Sequence, residues 1–225
     1  MSTRRAFLGS VASLPVLAAL DTKSRSRWVV HPNRQVAYGL REVSEYQHLP
    51  RGAVDAYRIE SGGQTLLGTQ PLSLSAIMPR SIAISPDGRY LVVAVYGGGS
   101  YNVLSISKDG ELEPVCGIYK EIGCGLCPVR QASAHPHTVV FDQTGDYVLS
   151  SDFGCDTLSV FKLDHGHLVR RSRLSLAPGS GPGLLTLDVA KSVIEVRHEL
   201  RPAVTYHRYD ASAGIIEPQF RLLAV

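Results

Sequence analysis

The chain carries two long copies of one strand–turn–strand pattern, and this repetition constrains its fold more than any other feature. The first copy occupies residues 81–96, and the second occupies residues 137–152. Each copy contains two apolar segments separated by a turn that includes Asp and Gly. Such a pattern predicts a β-hairpin, and its recurrence indicates a repeat architecture.

Weaker copies of the hairpin flank these two, at residues 28–38 and 184–194. Successive copies begin about 50 residues apart, close to the length of a four-stranded propeller blade. Each hairpin is followed by a segment of alternating apolar and polar residues, which predicts a third strand. These third-strand segments are residues 54–59, 101–106, 157–163 and 204–209.

The sequence therefore predicts an all-β chain, because no segment after residue 20 has the pattern of a long amphipathic helix. The predicted fold is a β-propeller of four-stranded antiparallel blades, with about four blades present. A two-sheet sandwich would also contain many short strands. It would not, however, predict a four-strand unit that recurs near every 50 residues.

The N-terminus differs from the rest of the chain. Arg4 and Arg5 directly precede an apolar run, 6–20, that is shorter than the roughly 20 residues needed to span a bilayer. This arrangement predicts a Tat-type signal segment over residues 1–20, and hence a periplasmic or extracellular protein whose propeller domain covers residues 21–225. A chance basic start on a cytoplasmic protein is the alternative.

The charge of the chain argues against two classes of function. The formal charge of the chain is +3, and removal of the signal segment with its two arginines would leave a near-neutral domain. Such a domain has no electrostatic basis for binding nucleic acid or a membrane surface.

The chain has four cysteines, Cys116, Cys124, Cys127 and Cys155. Cys124 and Cys127 have the spacing of half a zinc site, but no second pair follows, so the sequence predicts neither a metal nor a cofactor. In an exported protein, a disulfide between these two cysteines is an open alternative.

Five ordered motifs resemble those of the seven-bladed β-propeller lactonases, the family of bacterial 6-phosphogluconolactonases and fungal carboxymuconate cyclases. The motifs are residues 95–100, 130–137, 152–156, 178–182 and 199–200. The resemblance implies a metal-free hydrolase or lyase that acts on a small-molecule lactone at the mouth of the central channel. Its leading expected reaction converts 6-phospho-D-glucono-1,5-lactone to 6-phosphogluconate.

The resemblance also implies the catalytic residues. His137 is expected to activate water as a general base, since an imidazole titrates near neutral pH, and His135 is its close neighbour. Glu199 is expected to act as the partner acid or base, and Arg130 to bind an anion. Without the resemblance, the two histidines would be a solvated or hydrogen-bonded pair, and Glu199 would form a surface salt bridge with Arg197 or Arg201.

Four further residues are assigned to the substrate-binding region by the same resemblance. Gly98 and Gly99 are expected to let backbone approach closely at the channel. Asp152 and Asp156 are expected to line the channel, where bracing of the lining is a more natural role for them than reaction.

The chain departs from the family pattern in two respects. Gly183 and Leu184 stand where the resemblance implies arginine and histidine, and a glycine cannot replace a guanidinium that holds an anion. About four repeat units are recognisable, whereas the family has seven. The alternative function is therefore a catalytically inactive propeller segment, or an exported binding module that completes its ring as a homo-oligomer or with a partner chain.

Overall fold

The structure is a computed structural model, and it describes residues 27–218 together with the backbone of a strand at residues 221–224. The predicted signal segment lies outside the described residues. Within the described ranges the chain forms β-strands, turns and loops. No helix in these ranges is long and apolar enough to cross a membrane.

The strands form four antiparallel sheets, each built from consecutive strands of the chain. The first sheet contains β1 (Trp28–Val30), β2 (Val36–Arg41), β3 (Ala53–Glu60) and β4 (Gly63–Pro71). The second contains β5 (Pro79–Ile84), β6 (Tyr90–Val95), β7 (Ser100–Ile106) and β8 (Leu112–Lys120). We call these sheets blades 1 and 2.

Blades 3 and 4 have the same strand order. Blade 3 contains β9 (Pro136–Phe141), β10 (Tyr147–Asp152), β11 (Thr157–Asp164) and β12 (His167–Ser175). Blade 4 contains β13 (Pro182–Asp188), β14 (Val193–His198), β15 (Ala203–Asp210), β16 (Ile215–Ile216) and β17 (Arg221–Ala224). The outer edge of β15 pairs with both β16 and β17, so the outer position of this blade is divided between two short strands.

The four predicted hairpins and the four predicted third strands are confirmed. Their turns are closed by an Asp or Asn side chain that accepts local backbone N–H groups, and in blade 1 that residue is Asn33, which accepts from the amide of Gln35 at 2.9 Å. In blade 2, Asp87 accepts from the amide of Arg89 at 3.0 Å, and Gly88 adopts a φ of 73°. In blade 3, Asp142 accepts from the amide of Gly145 at 3.0 Å. In the weaker fourth copy, Asp188 at the end of β13 accepts from the amide of Lys191 at 3.1 Å.

Three apolar cores lie between adjacent blades. The first joins blades 1 and 2 and includes Tyr38, Val54, Leu91 and Leu104. The second joins blades 2 and 3, and the third joins blades 3 and 4. Because each core draws side chains from two sheets, the blades are held as neighbours by burial of apolar surface between them.

The innermost strands β1, β5, β9 and β13 line one groove of about 460 Å³. In a propeller the first strand of each blade faces the central channel. The groove therefore marks the channel side of the four blades, and the residues described below lie at the ends of strands and in the loops at one end of it.

We predict that Leu104→Ala lowers the free energy of unfolding by about 2–5 kcal/mol, because it leaves a cavity in the core between blades 1 and 2. Leu104 has no exposed surface, whereas Leu66, which is 47% exposed, provides a matched leucine control. Urea denaturation would measure both variants, with Leu66→Ala expected within about 0.5 kcal/mol of the parent protein. Equal losses in the two variants would contradict the proposed core.

Candidate active site

His135 is held at the start of β9 by backbone contacts and by an aromatic neighbour. Its amide N–H donates to Oδ1 of Asp152 at 2.9 Å, and its carbonyl accepts from the amide of Phe153 at 3.0 Å. Its ring stacks on Tyr96 with 4.6 Å between centroids, and its Nδ1 lies 2.8 Å from the carbonyl oxygen of Tyr96. These contacts fix both the backbone and the ring of His135.

His137 lies next to the same tyrosine and is only 8% exposed. The ring of Tyr96 meets it edge to face at 6.1 Å, so the two histidines share one aromatic neighbour, as expected for side chains two residues apart on a strand. Nδ1 of His137 lies 3.1 Å from the hydroxyl of Thr138, which donates to the carbonyl of Gly183 at 3.1 Å. Because that hydroxyl uses its proton on Gly183, the hydrogen-bond pattern assigns the proton of neutral His137 to Nδ1.

The other ring nitrogen of His137 faces Glu199. Nε2 lies 3.0 Å from Oε1 of Glu199, but the two groups are not aligned as a hydrogen bond. The contact is an ion pair when the ring is protonated, whereas in the neutral Nδ1–H form the buried Nε2 presents a lone pair to the carboxylate with no proton between them. The lone pair on Nε2 is what a general base requires, and a water gains access to it when the partly exposed carboxylate of Glu199 turns aside.

Glu199 follows β14 in the turn that leads to β15. Its amide donates to the carbonyl of Gly181 at 2.8 Å, and its Oε2 lies 3.7 Å from the guanidinium of Arg130. The nearby His137 is the main cause that holds the pKa of Glu199 below its usual 4.5, and the charges of Arg80 and Arg130 act in the same direction. Glu199 thus contacts His137 and Arg130 rather than Arg197 or Arg201.

Gly183 leaves room for the carboxylate of Glu199. A Cβ atom at position 183 would lie 2.7 Å from Oε1 and 3.1 Å from the carboxyl carbon of Glu199. Any larger side chain at this position would displace the carboxylate or point directly at it. The glycine that departs from the family pattern at position 183 therefore leaves the space in which Glu199 contacts His137.

Two arginines border the site, and each lies over an aromatic ring. The guanidinium carbon of Arg130 is 4.8 Å from the centroid of Phe153, and that of Arg80 is 5.8 Å from the centroid of Tyr96. Arg80 was not identified by the sequence patterns. Tyr96 directly follows the apolar strand β6, and this position was the local signal that could have identified it. No such local signal marks Arg80.

The carboxylates of Asp152 and Asp156 are buried and bonded within the protein. Asp152 accepts the amides of His135 and Cys155, and burial raises its pKa. Asp156 accepts from the amides of Gly179 and Gly181 at 2.6 and 2.7 Å, which fastens the loop before blade 4 to blade 3. Both residues brace the lining of the site in the described structure.

Gly98 and Gly99 lie on the rim formed by blades 2 and 3. The carbonyl of Gly98 accepts from the ammonium of Lys120, and a Cβ at Gly98 would collide with the backbone of Ser75. Gly99 adopts a φ of 58° and faces the carbonyl of Ala134, 2.9 Å from where its Cβ would stand. Both glycines therefore permit close backbone approach beside the histidine segment.

Within the described ranges, no three His, Cys, Asp or Glu side chains are grouped to hold a metal ion. All four cysteines are free thiols, including Cys124 and Cys127.

A separate cavity of about 470 Å³ between blades 3 and 4 is lined by His198, Thr205 and His207. The Nε2 atoms of His198 and His207 both form hydrogen bonds with the hydroxyl of Thr205, at 2.9 and 3.0 Å. Burial lowers the pKa of both histidines. Arg201 also lines this cavity, but none of the described residues that line it is a carboxylate. We therefore place the candidate active site at His137, which faces Glu199.

We predict that, in Glu199→Gln, the free energy of unfolding falls less steeply as the pH is lowered. Because the folded-state pKa of Glu199 is depressed, its ionised form contributes stability above the unfolded pKa, and this contribution is lost as pH falls through the folded pKa. Urea denaturation between about pH 6 and pH 3 should show a shallower loss for Glu199→Gln than for the parent protein or for Glu195→Gln. Identical slopes for all three proteins would contradict the contact.

The comparisons with known proteins agree with this fold. The chain is 29% identical over 166 residues to 6-phosphogluconolactonase of Bacillus subtilis, a match that covers 73% of this chain and 47% of that protein. It is 25% identical over 173 residues to 6-phosphogluconolactonase of Formosa agariphila, covering 74% of this chain and 48% of that protein. The chain thus spans about half the length of these curated relatives.

Among solved structures, the periplasmic gluconolactonase of Pseudomonas aeruginosa superimposes with a TM-score of 0.78 at 25% identity. That match covers 93% of this chain and 60% of the other. The family model described as "Lactonase, 7-bladed beta-propeller" matches residues 9–224. With four antiparallel blades in the described residues and a family match over nearly its whole length, the chain belongs to the seven-bladed β-propeller lactonase family.

Proposed function

We propose that this protein hydrolyses a sugar lactone, with 6-phospho-D-glucono-1,5-lactone as the leading substrate. The observation that carries the proposal is the contact between His137 of blade 3 and Glu199 of blade 4, with Arg130 beside it. The names of the two curated relatives and of the solved gluconolactonase support the same reaction class.

The reaction begins with attack of a water oxygen on the carbonyl carbon of the lactone. In the assigned tautomer, Nε2 of His137 carries the lone pair that accepts the proton of the attacking water, which reaches this buried atom when the partly exposed carboxylate of Glu199 turns aside. The positive charge that arises on the ring is stabilised by the carboxylate of Glu199 at 3.0 Å. Glu199 thereby stabilises the charged state that forms during the reaction more than the resting state.

Collapse of the tetrahedral intermediate breaks the bond between the carbonyl carbon and the ring oxygen. The protonated His137 can return its proton to that leaving oxygen, which produces the hydroxyl group of the open sugar acid. The guanidinium of Arg130 supplies positive charge beside the site for the oxyanion or the carboxylate product. The net change is the addition of one water molecule across the bond between the carbonyl carbon and the ring oxygen.

The predicted signal segment suggests that this reaction takes place outside the cytoplasm. We propose export by the Tat route to the periplasm or cell exterior, on the twin arginines at positions 4 and 5. An exported enzyme would meet extracytoplasmic lactones, so the physiological substrate on this proposal includes sugar lactones other than the phosphorylated one.

A second candidate function is a non-catalytic binding module that completes its ring as a homo-oligomer or with a partner chain. The observation that favours it is Gly183, which supplies no cation where the family resemblance implies arginine. A folded chain that shows no lactone turnover above the buffer rate would favour this second function.

We predict that His137→Gln lowers the enzymatic rate of lactone opening by at least about 100-fold, because it removes the general base. Glu199→Gln should lower kcat by a smaller factor, because it removes a stabilising charge but leaves the base in place. His167→Gln is the matched control, since this histidine is exposed on β12. The assay follows acid release and subtracts spontaneous hydrolysis. Retention of full activity in His137→Gln would contradict the mechanism.

A further inference from the structure

Arg80 occupies a place in the site that neither the hairpin pattern nor the family motifs assign. It lies near the start of β5, and its NH1 group is 3.2 Å from Oε1 of Glu42. The same carboxylate binds Arg27 through Oε2 at 2.8 Å. Two guanidinium groups therefore share one carboxylate, which leaves one unit of positive charge uncompensated within this group of three.

The position of Arg80 directs this charge toward the catalytic pair. Its guanidinium carbon lies 5.8 Å from the ring centroid of Tyr96, the residue against which both histidines pack. Its charge also contributes to the lowered pKa of Glu199. Arg80 is thus electrostatically coupled to the site even though its direct ion pair is with Glu42.

Arg80 is also accessible to a ligand. Its side chain is 37% exposed, and Glu42 receives its one described hydrogen bond. A guanidinium has five N–H groups in a planar fork that matches a carboxylate or a phosphate, so most of its donors remain available. Arg130 is 49% exposed and lies 3.7 Å from Glu199, whereas Arg80 shares its carboxylate partner Glu42 with Arg27.

We infer that Arg80 recognises an anionic substituent, a carboxylate or a phosphate, on the lactone substrate. The inference rests on the proposed lactonase function and adds a specificity-determining residue to it. Glu42 acts as the internal partner that tunes this recognition, because it competes with the substrate anion for the guanidinium. Since Gly183 supplies no cation, Arg80 provides positive charge from blade 2 instead of blade 4.

The alternative role of Arg80 is purely structural, as a surface ion pair joining segments of blades 1 and 2. Exposed ion pairs of this kind contribute about 0–1 kcal/mol to stability and would not discriminate between charged and uncharged substrates. The ratio of kcat/KM for an anionic lactone to kcat/KM for an uncharged one therefore separates the two roles. D-Glucono-1,5-lactone serves as the uncharged substrate. The 6-phosphorylated lactone and a glucaric acid lactone carry phosphate and carboxylate.

In the full chain, Arg80→Gln should lower this ratio by about 10-fold or more, because a charge-assisted hydrogen bond is lost. Arg80→Lys should give an intermediate ratio, and Glu42→Gln should raise the ratio by releasing Arg80. Arg89→Gln is the matched control, since Arg89 lies over Tyr90 at 5.7 Å in the same blade but belongs to the opposite hairpin end. A fall for both anions supports shared recognition, and a fall for one identifies the anion.

An unchanged ratio in Arg80→Gln would overturn the inference, provided that its thermal unfolding matches that of the parent. Binding of glucose 6-phosphate, compared with glucose by titration calorimetry, gives a second readout that needs no turnover. If no lactone is hydrolysed, the proposed function fails, while loss of the glucose 6-phosphate preference in Arg80→Gln would still support anion recognition. If turnover is present and both readouts ignore Arg80, only the inference fails.

Discussion

Apolar packing between adjacent blades is the interaction on which the rest of the structure depends. Each blade is a sheet that buries its faces against its neighbours, and three cores join the four blades. The candidate site lies across these junctions, since Tyr96 comes from blade 2, His137 from blade 3 and Glu199 from blade 4. A shift of one blade against the next would therefore separate groups that must lie within about 3 Å to exchange a proton.

Polar contacts refine the alignment that apolar packing provides. The hydroxyls of Thr138 and Ser151, on blade 3, both donate to the carbonyl of Gly183 on blade 4, at 3.1 and 2.5 Å. Asp156 binds the amides of the loop that leads into blade 4. Apolar burial is not directional, whereas these hydrogen bonds require a defined distance and angle. They therefore explain how a packed interface can also hold a reactive pair in register.

The hairpins were predictable because their determinants are local. Alternation of apolar residues and an Asp/Gly turn specify strand, turn and strand within a short window, as residues 81–96 and 137–152 show. The proximity of His137 and Glu199 could be anticipated only through the family resemblance, because these two residues are far apart in sequence. Arg80 has no distinguishing local pattern, and its proximity to Tyr96 and Glu42 arises only when blades 1 and 2 pack together. The divided outer position of blade 4 was likewise not visible in the alternation.

The proposed role of His137 is tested most directly by measuring which of its ring nitrogens is protonated in the folded chain. Nuclear magnetic resonance of protein with ¹⁵N-labelled histidine, assigned by comparison with His137→Gln, would report it. We expect neutral His137 to carry its proton on Nδ1, which donates to the hydroxyl of Thr138, and to have an unprotonated Nε2 that faces Glu199. A neutral ring protonated on Nε2 would contradict the assignment of His137 as the base that activates water.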